Sequence, residues 1–245
     1  MMNGAVTVAE QIAWLQANTV LNQSVSLAIQ TALGCSTVWL YTTHVPCPAS
    51  FLTKAEQVVY AQWHHPNRIN SWLLGRTLLK GVALLHPTLL QQEDFNPLDT
   101  TVAWQFPHAQ VSLSHTATTA YILINTVASH TISIGLDVES LVRKPLSDKA
   151  LRYLLSAVEY QIYQQRLEQE SSARWDLQYW TLKEALYKAT PLPYQTELSL
   201  ANWGIQTMET ATLCIGHQSF AGKMGTVLLG ADIASVALVN RVSTK

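Results

Sequence analysis

Asp137 and Glu139 stand one residue apart in the run Ile134-Gly135-Leu136-Asp137-Val138-Glu139. If that run is a strand, its side chains alternate, so the two carboxylates share a face and Leu136 and Val138 take the other. Like charges side by side at the edge of an apolar strand repel each other unless something positive sits between them. A hard divalent cation such as Mg²⁺ suits such oxygen ligands. The plain alternative is a strand end running into water, with both acids hydrated. Further along, Trp180-Thr181-Leu182-Lys183-Glu184-Ala185-Leu186-Tyr187-Lys188-Ala189 is built of good helix formers. Leu182, Ala185, Leu186 and Ala189 fall on one buried stripe; Glu184 and Lys188 share another face, with Trp180 a turn before them. An exposed ion pair, worth about 0.3–0.5 kcal/mol, accounts for Glu184 and Lys188 without chemistry. The chemical account makes Glu184 a third carboxylate for the metal and gives Lys188 to a phosphate that the metal also holds.

Several elements must position these groups. Residues 4–33 carry apolar positions at helical spacing and predict one or two amphipathic helical pieces. Thr37 to Thr42 reads as a strand, broken off by Pro46 and Pro48. Thr53 and Glu56 form a helix-starting capping box, and a second helix runs from near Asn67 to about His86, where Pro87 stops it. Along it Arg68, Trp72, Arg76 and Lys80 recur every four residues as a partly basic stripe, while Leu74, Leu78, Leu79 and Val82 supply the core side. Asp99 to Trp104 is a possible strand. Ser112 to His115 is a strand end or turn, feeding the strong strand Ala120 to Ile124. No G-x-S-x-G elbow surrounds Ser114, and Ser114 and His115 are sequence neighbours, which excludes a hydrolase dyad. Ser156 and Glu159 form a second capping box, and the helix carrying Glu184 runs from near Arg174 to Thr190-Pro191. Short strands follow within 197–206 and 212–215, a loop spans 217–225, and residues 227–239 read as a closing strand or hairpin.

The 245 residues are 48% apolar and include eight tryptophans, enough for a packed core in one large or two small domains. A formal net charge of −1 excludes a global electrostatic drive toward nucleic acid or membrane. The basic residues are unevenly spread: only Lys54, Arg68, Arg76 and Lys80 precede Arg143, after which Arg143, Lys144, Lys149 and Arg152 cluster. That cluster is either a solvated surface or a docking patch for an acidic partner helix. Three widely spaced cysteines without a C-x-x-C pair argue for reduced thiols and against a zinc site. No stretch approaches the ~18 apolar residues of a membrane span, and there is no basic leader segment, so a cytoplasmic protein is expected.

The pair Ile134–Glu139 and Trp180–Lys188 resembles the signature motifs of the 4'-phosphopantetheinyl transferase superfamily. Val111-Ser112-Leu113-Ser114-His115-Thr116 resembles the Ser-His segment that precedes the acidic strand in that family. Trp72-Leu73-Leu74-Gly75-Arg76 is similar to its F-L-x-G-R helix, and Leu155 to Glu159 to its F-x-S-x-x-E segment. Length and motif order look like the larger, monomeric type that activates peptide and polyketide synthetases. The resemblance implies an α/β (α+β) fold of two similar halves, residues 1–130 and 131–245, each a helix on a small antiparallel sheet and related by a pseudo-twofold axis. It implies a Mg²⁺-dependent enzyme, Mn²⁺ being possible, that moves the 4'-phosphopantetheine arm of coenzyme A to a serine of an apo acyl or peptidyl carrier protein. Asp137, Glu139 and Glu184 are then the metal ligands. Lys188 and Lys183 with Ser114, His115, Arg76 and Arg68 contact coenzyme A, and Glu184 is a metal ligand, a general base, or both. Two basic positions of the family are absent here: Val59 stands at one, and Phe106-Pro107-His108 replaces a basic turn, which leaves His108 or His65 as substitutes. Those absences favour one alternative, a non-catalytic coenzyme A-binding homologue acting as a partner protein.

Overall fold

Three Ser/Thr-x-x-Glu motifs start helices in this chain by one reciprocal exchange. Thr7, Thr53 and Ser156 each accept the backbone N–H three residues on, while Glu10, Glu56 and Glu159 each accept the cap residue's own N–H. The computed structural model describes residues 6–90, 109–127, 132–195, 202–215 and 218–242. The expected strand at 99–104, the Phe106–His108 turn, the boundary between residues 130 and 131, and part of the 197–206 strand lie outside those residues. The chain divides into two compact units: Met1–Gln23 with Trp39–Ala128, and Ser24–Val38 with Ser129–Lys245.

In the first unit α1 (Val8–Ala17) precedes β1 (Val20–Leu21). Strands β2 (Val38–Thr43), β3 (Gln110–His115) and β4 (Ala120–Asn125) complete a sheet of order β1-β2-β4-β3. β3 and β4 pair antiparallel from Gln110 opposite Asn125 to His115 opposite Ala120. A short helix, α3 (Lys54–Tyr60), leads to the long α4 (Pro66–Leu85). Proline at the first helical position of α4 lacks a donor that would have no partner there anyway. Leu74, Leu78, Leu79 and Val82 of α4 are buried with Tyr41, Ile122 and Ile124 of the sheet.

The second unit contains α2 (Gln23–Leu33, from Ser24 on), β5 (Ile132–Ser140), α5 (Asp148–Leu154), α6 (Ala157–Gln169) and the long α7 (Trp175–Ala189). The strands β6 (Gly204–Ile205), β7 (Thr210–Ile215), β8 (Gln218–Leu229) and β9 (Asp232–Val242) follow. The sheet has order β5-β9-β8-β7-β6, with every neighbouring pair antiparallel. Leu182, Ala185, Leu186 and Ala189 of α7 are buried against Met224, Phe220, Ala237 and Val239. Each unit is thus a long helix on an antiparallel sheet, and the fold is α+β.

Two sequence readings give way here. Residues 218–225, read as loop, are the first part of β8, paired with β7 on one side and β9 on the other. Their small residues carry little strand propensity, but they answer to packing: a side chain at Gly222 would meet Leu186 at 2.8 Å, and one at Gly225 would meet Ala32 of α2 at 2.8 Å. Lys80 also leaves the basic stripe of α4. It is fully buried, its Nζ 2.6 Å from Glu56 Oε2 and donating to the Phe51 carbonyl at 3.1 Å. The capping-box glutamate brings a carboxylate indoors, and the lysine satisfies it.

Candidate active site

Gly135 decides how closely α7 approaches β5. A Cβ at that position would lie 1.9 Å from the Ala185 carbonyl oxygen and 2.7 Å from the Ala189 nitrogen, so the helix backbone rests directly on the strand. Gly135, Asp137 and Glu139 share one face by alternation. The close contact beneath Gly135 therefore brings α7's Glu184 and Lys188 over the two acids. Opposite Asp137 on β9 is Ser235, wholly buried, bonded to Thr181 of α7 at 2.7 Å and to Thr226 of β8 at 3.1 Å. That hydroxyl chain joins α7, β9 and β8 beside the site.

Lys188 Nζ donates to Asp137 Oδ1 at 2.7 Å and to the Leu136 carbonyl at 3.2 Å, so it serves the strand acid instead of forming the simple helical pair with Glu184. Glu139 is held by Arg143, whose guanidinium also lies 5.3 Å from the centre of the Trp180 ring. Glu184, half-buried, has no ion pair of its own among the described residues. Burial pushes the Glu184 carboxyl above the ordinary carboxylate range, and the charges of Asp137 and Glu139 push it further, against Lys188 and Arg143. Burial likewise raises Glu139; Arg143 opposes that rise, Asp137 adds to it, and Trp180 and Lys188 oppose it. Glu139 and Glu184, on two different elements, thus both feel the charge of Asp137.

The donor chemistry of Asp137, Glu139 and Glu184, three partly buried carboxylates, fits a hard divalent cation. As the side chains stand, no group of three or more His, Cys, Asp or Glu among the described residues is arranged to enclose an ion. The Lys188 ammonium pairs with Asp137 and the Arg143 guanidinium with Glu139.

Lys183, expected as a coenzyme A contact, faces the core. It is fully buried, 2.9 Å from Glu159 Oε1, and donates to the Trp203 carbonyl. Adjacent helix positions lie about 100° apart, and that rotation carries Lys183 into the core while Glu184 stays at the surface of the sheet. Of the basic cluster after β5, Arg143 joins the acids. Arg152 instead bonds Asp148 at 2.7 Å and stacks 4.2 Å over Tyr160.

In the first unit, Arg68, Arg76 and His115 line one cavity of about 280 Å³ with Trp63, Ser71, Trp72, Gly75 and Leu113. The Arg68 guanidinium sits 5.6 Å over Trp63, and that of Arg76 4.8 Å over Trp72. The Trp63 indole N–H is buried and has no hydrogen-bond partner among the described residues. Ser114 is not on that wall. Leu113 and His115 face the cavity, and the buried Ser114 alternates to the other side of β3. Sequence reasoning missed Trp63, whose only signal was a tryptophan five residues before Arg68. It also missed the role of Arg143, which read as one member of a surface cluster.

Residues 133–225 match the family model of the 4'-phosphopantetheinyl transferase superfamily. This stretch is similar to that superfamily. The match covers β5, α7 and the first part of β8, and so includes Asp137, Glu139, Glu184 and Lys188. The superfamily is one of transferases that carry phosphopantetheine to carrier proteins. A search of curated proteins finds no match to the chain. Among the described residues, no helix is long and apolar enough to cross a membrane.

Proposed function

We propose that this chain transfers the 4'-phosphopantetheine arm of coenzyme A to a serine of an apo carrier protein, in a reaction that depends on Mg²⁺. The observation that carries the reading is the meeting of Asp137, Glu139, Glu184 and Lys188 where α7 crosses β5.

In the reaction the serine hydroxyl oxygen bonds to the β-phosphorus of coenzyme A, the bridging β-phosphorus–oxygen bond breaks, and 3',5'-ADP leaves with that oxygen. Asp137, Glu139 and Glu184 would hold the cation. When bound, Mg²⁺ or Mn²⁺ supplies charge neutralisation at the pyrophosphate. Lys188 does more than neutralise Asp137. Its ammonium is one helical turn from Glu184 and can turn to the anionic group that reacts. Glu184 takes the serine proton. Burial, with the charges of Asp137 and Glu139, holds its carboxyl above the ordinary carboxylate range, the direction that makes a stronger base. The cavity of the first unit has chemistry suited to the phosphates of coenzyme A: two guanidiniums, a histidine and an indole N–H.

The test is direct. The purified chain, coenzyme A and Mg²⁺ are incubated with a panel of apo acyl and peptidyl carrier proteins, and the carriers are weighed by intact-protein mass spectrometry. A Mg²⁺-dependent gain of one phosphopantetheine arm on at least one carrier is expected. A panel left wholly unmodified, with the chain folded and binding coenzyme A by calorimetry, rejects the transferase reading.

A further inference from the structure

The turn that leaves β5 is built to present one side chain. Its backbone closes through the Arg143 N–H on the Ser140 carbonyl at 3.0 Å. Arg174 clamps it from outside, Nη1 donating to the carbonyls of Leu141 at 2.5 Å and Arg143 at 2.9 Å. Arg174 is in turn held by Asp176, through Nε at 2.9 Å and Nη2 at 3.0 Å, and Asp176 also accepts the Leu146 N–H at 3.0 Å. The Arg143 side chain therefore leaves from a fixed base. Its guanidinium ends between the Glu139 carboxylate and the face of Trp180.

This pair differs from the two buried ion pairs, Lys80–Glu56 and Lys183–Glu159, among the described residues. Lys80–Glu56 has both side chains at 0% exposure, whereas Arg143 is 38% exposed and Glu139 26%. Arg143 can swing into water without opening the core, and its planar fork keeps a carboxylate and an aromatic face engaged together until it does. What it occupies is the coordination space of one of the three mutually repelling carboxylates. A cation entering there must either meet a guanidinium or remove it.

We propose that Arg143 is a counter-ion latch: its guanidinium neutralises Glu139 until a divalent cation displaces it, so releasing Arg143 sets the cation's apparent affinity. The inference rests on the reading of Asp137, Glu139 and Glu184 as cation donors. A competing internal cation lowers apparent affinity by the fraction of molecules in which the site is open. One partly exposed ion pair and one cation–π contact together close the site roughly 5- to 30-fold. Release also strips a cation from the face of Trp180, which gives the event an optical signature independent of catalysis.

The test uses the full chain freed of metal by chelation. Mn²⁺ binding is measured by electron paramagnetic resonance and calorimetry for the wild type, Arg143→Ala, Arg143→Gln and Asp137→Asn, with far-UV circular dichroism confirming that each is folded. Arg143→Ala and Arg143→Gln are expected to bind Mn²⁺ about 5- to 30-fold more tightly than the wild type. Saturation with Mg²⁺ is expected to shift the tryptophan emission of the wild type, and to leave that of the two Arg143 variants nearly unchanged. If both variants bind Mn²⁺ no more tightly than the wild type while Asp137→Asn loses the ion, the latch is overturned and the carboxylate donors stand. If neither the wild type nor the variants bind Mn²⁺ at millimolar concentration, the latch falls together with the donor assignment beneath it.

Discussion

Glu56 and Lys80 in the first unit, and Glu159 and Lys183 in the second, are one device used twice. Each glutamate is the third residue of its helix and closes its capping box. Each lysine comes 24 residues later on the unit's long helix and is buried against that glutamate and one backbone carbonyl. Beyond the lysine the two helices part. α4 continues with Gly81, where a side chain would meet Thr19 Oγ1 at 1.8 Å. α7 continues with Glu184, which looks out over β5. At the last turns, the Tyr41 hydroxyl and His86 Nε2 meet at 2.6 Å in the first unit, and Lys188 and Asp137 at 2.7 Å in the second. Burial pushes the Tyr41 hydroxyl up and His86 down, which keeps both neutral. A buried capping pair that docks one helix on another is therefore framework. What the second unit adds is a pair of contacts on another side of its helix, Lys188 with Asp137 and Arg143 with Glu139, whose charges Glu184 also feels.

Splitting framework from chemistry is the sharpest way to break this comparison. Glu56→Gln and Glu159→Gln each leave a buried lysine without its counter-ion. Each is expected to cost about 3–5 kcal/mol in chemical denaturation, with the two units responding alike. A cost confined to one of them would mean that the pairs are not equivalent. Glu184→Gln is expected to behave in the opposite way. Carrier modification should fall about 10²-fold or more, and stability should hold or rise because a like charge is removed. Retained activity would take Glu184 out of the chemistry and reduce the second unit to framework as well.

The glycines probe the same division at smaller cost. Gly135→Ala pushes a methyl into the backbone of α7, which cannot yield without moving Glu184 and Lys188. Gly81→Ala pushes one into the Thr19 side chain, which can turn away at the cost of its 2.8 Å bond to the Leu15 carbonyl. Both are expected to destabilise by about 1–3 kcal/mol. Only Gly135→Ala should also depress carrier modification at a temperature where both variants are folded, and an equal loss in both would blur the boundary drawn above.

The smallest effect is one of pH. Glu139 and Glu184 titrate above their ordinary value, burial being the leading cause. The folded protein therefore holds their protons more tightly than the unfolded chain. That contribution is fully present below the unfolded pKa and is lost as pH rises through the folded one. Mg²⁺, by binding the ionised forms, should offset the loss. Its increase in Tm is expected to be larger near pH 7.5 than near pH 5. An increase independent of pH would detach the cation from these two acids.

Much of the framework was legible because its signals are local. The capping boxes at Thr53 and Ser156, the proline stop after His86 and the alternating run of β5 each depend on residues within a turn or two of one another, and the helices and strands follow them. β8 was not legible. Its glycines and alanines are there to admit Leu186 and Ala32, and only pairing with β7 and β9 makes a strand of them. Ser114 and His115 looked like one unit in sequence, yet alternation sends them to opposite sides of β3.

By itself the sequence determined which residues could do chemistry, Asp137, Glu139, Glu184 and Lys188, because residue type and short-range spacing settle charge and face. Only the tertiary structure decided which cation answers which acid. Lys80 and Lys183 went inward to capping-box glutamates, Lys188 crossed to Asp137, and Arg143 turned back onto Glu139 and Trp180. Charges choose partners by distance through space, and that distance is set here by a helix resting on a glycine.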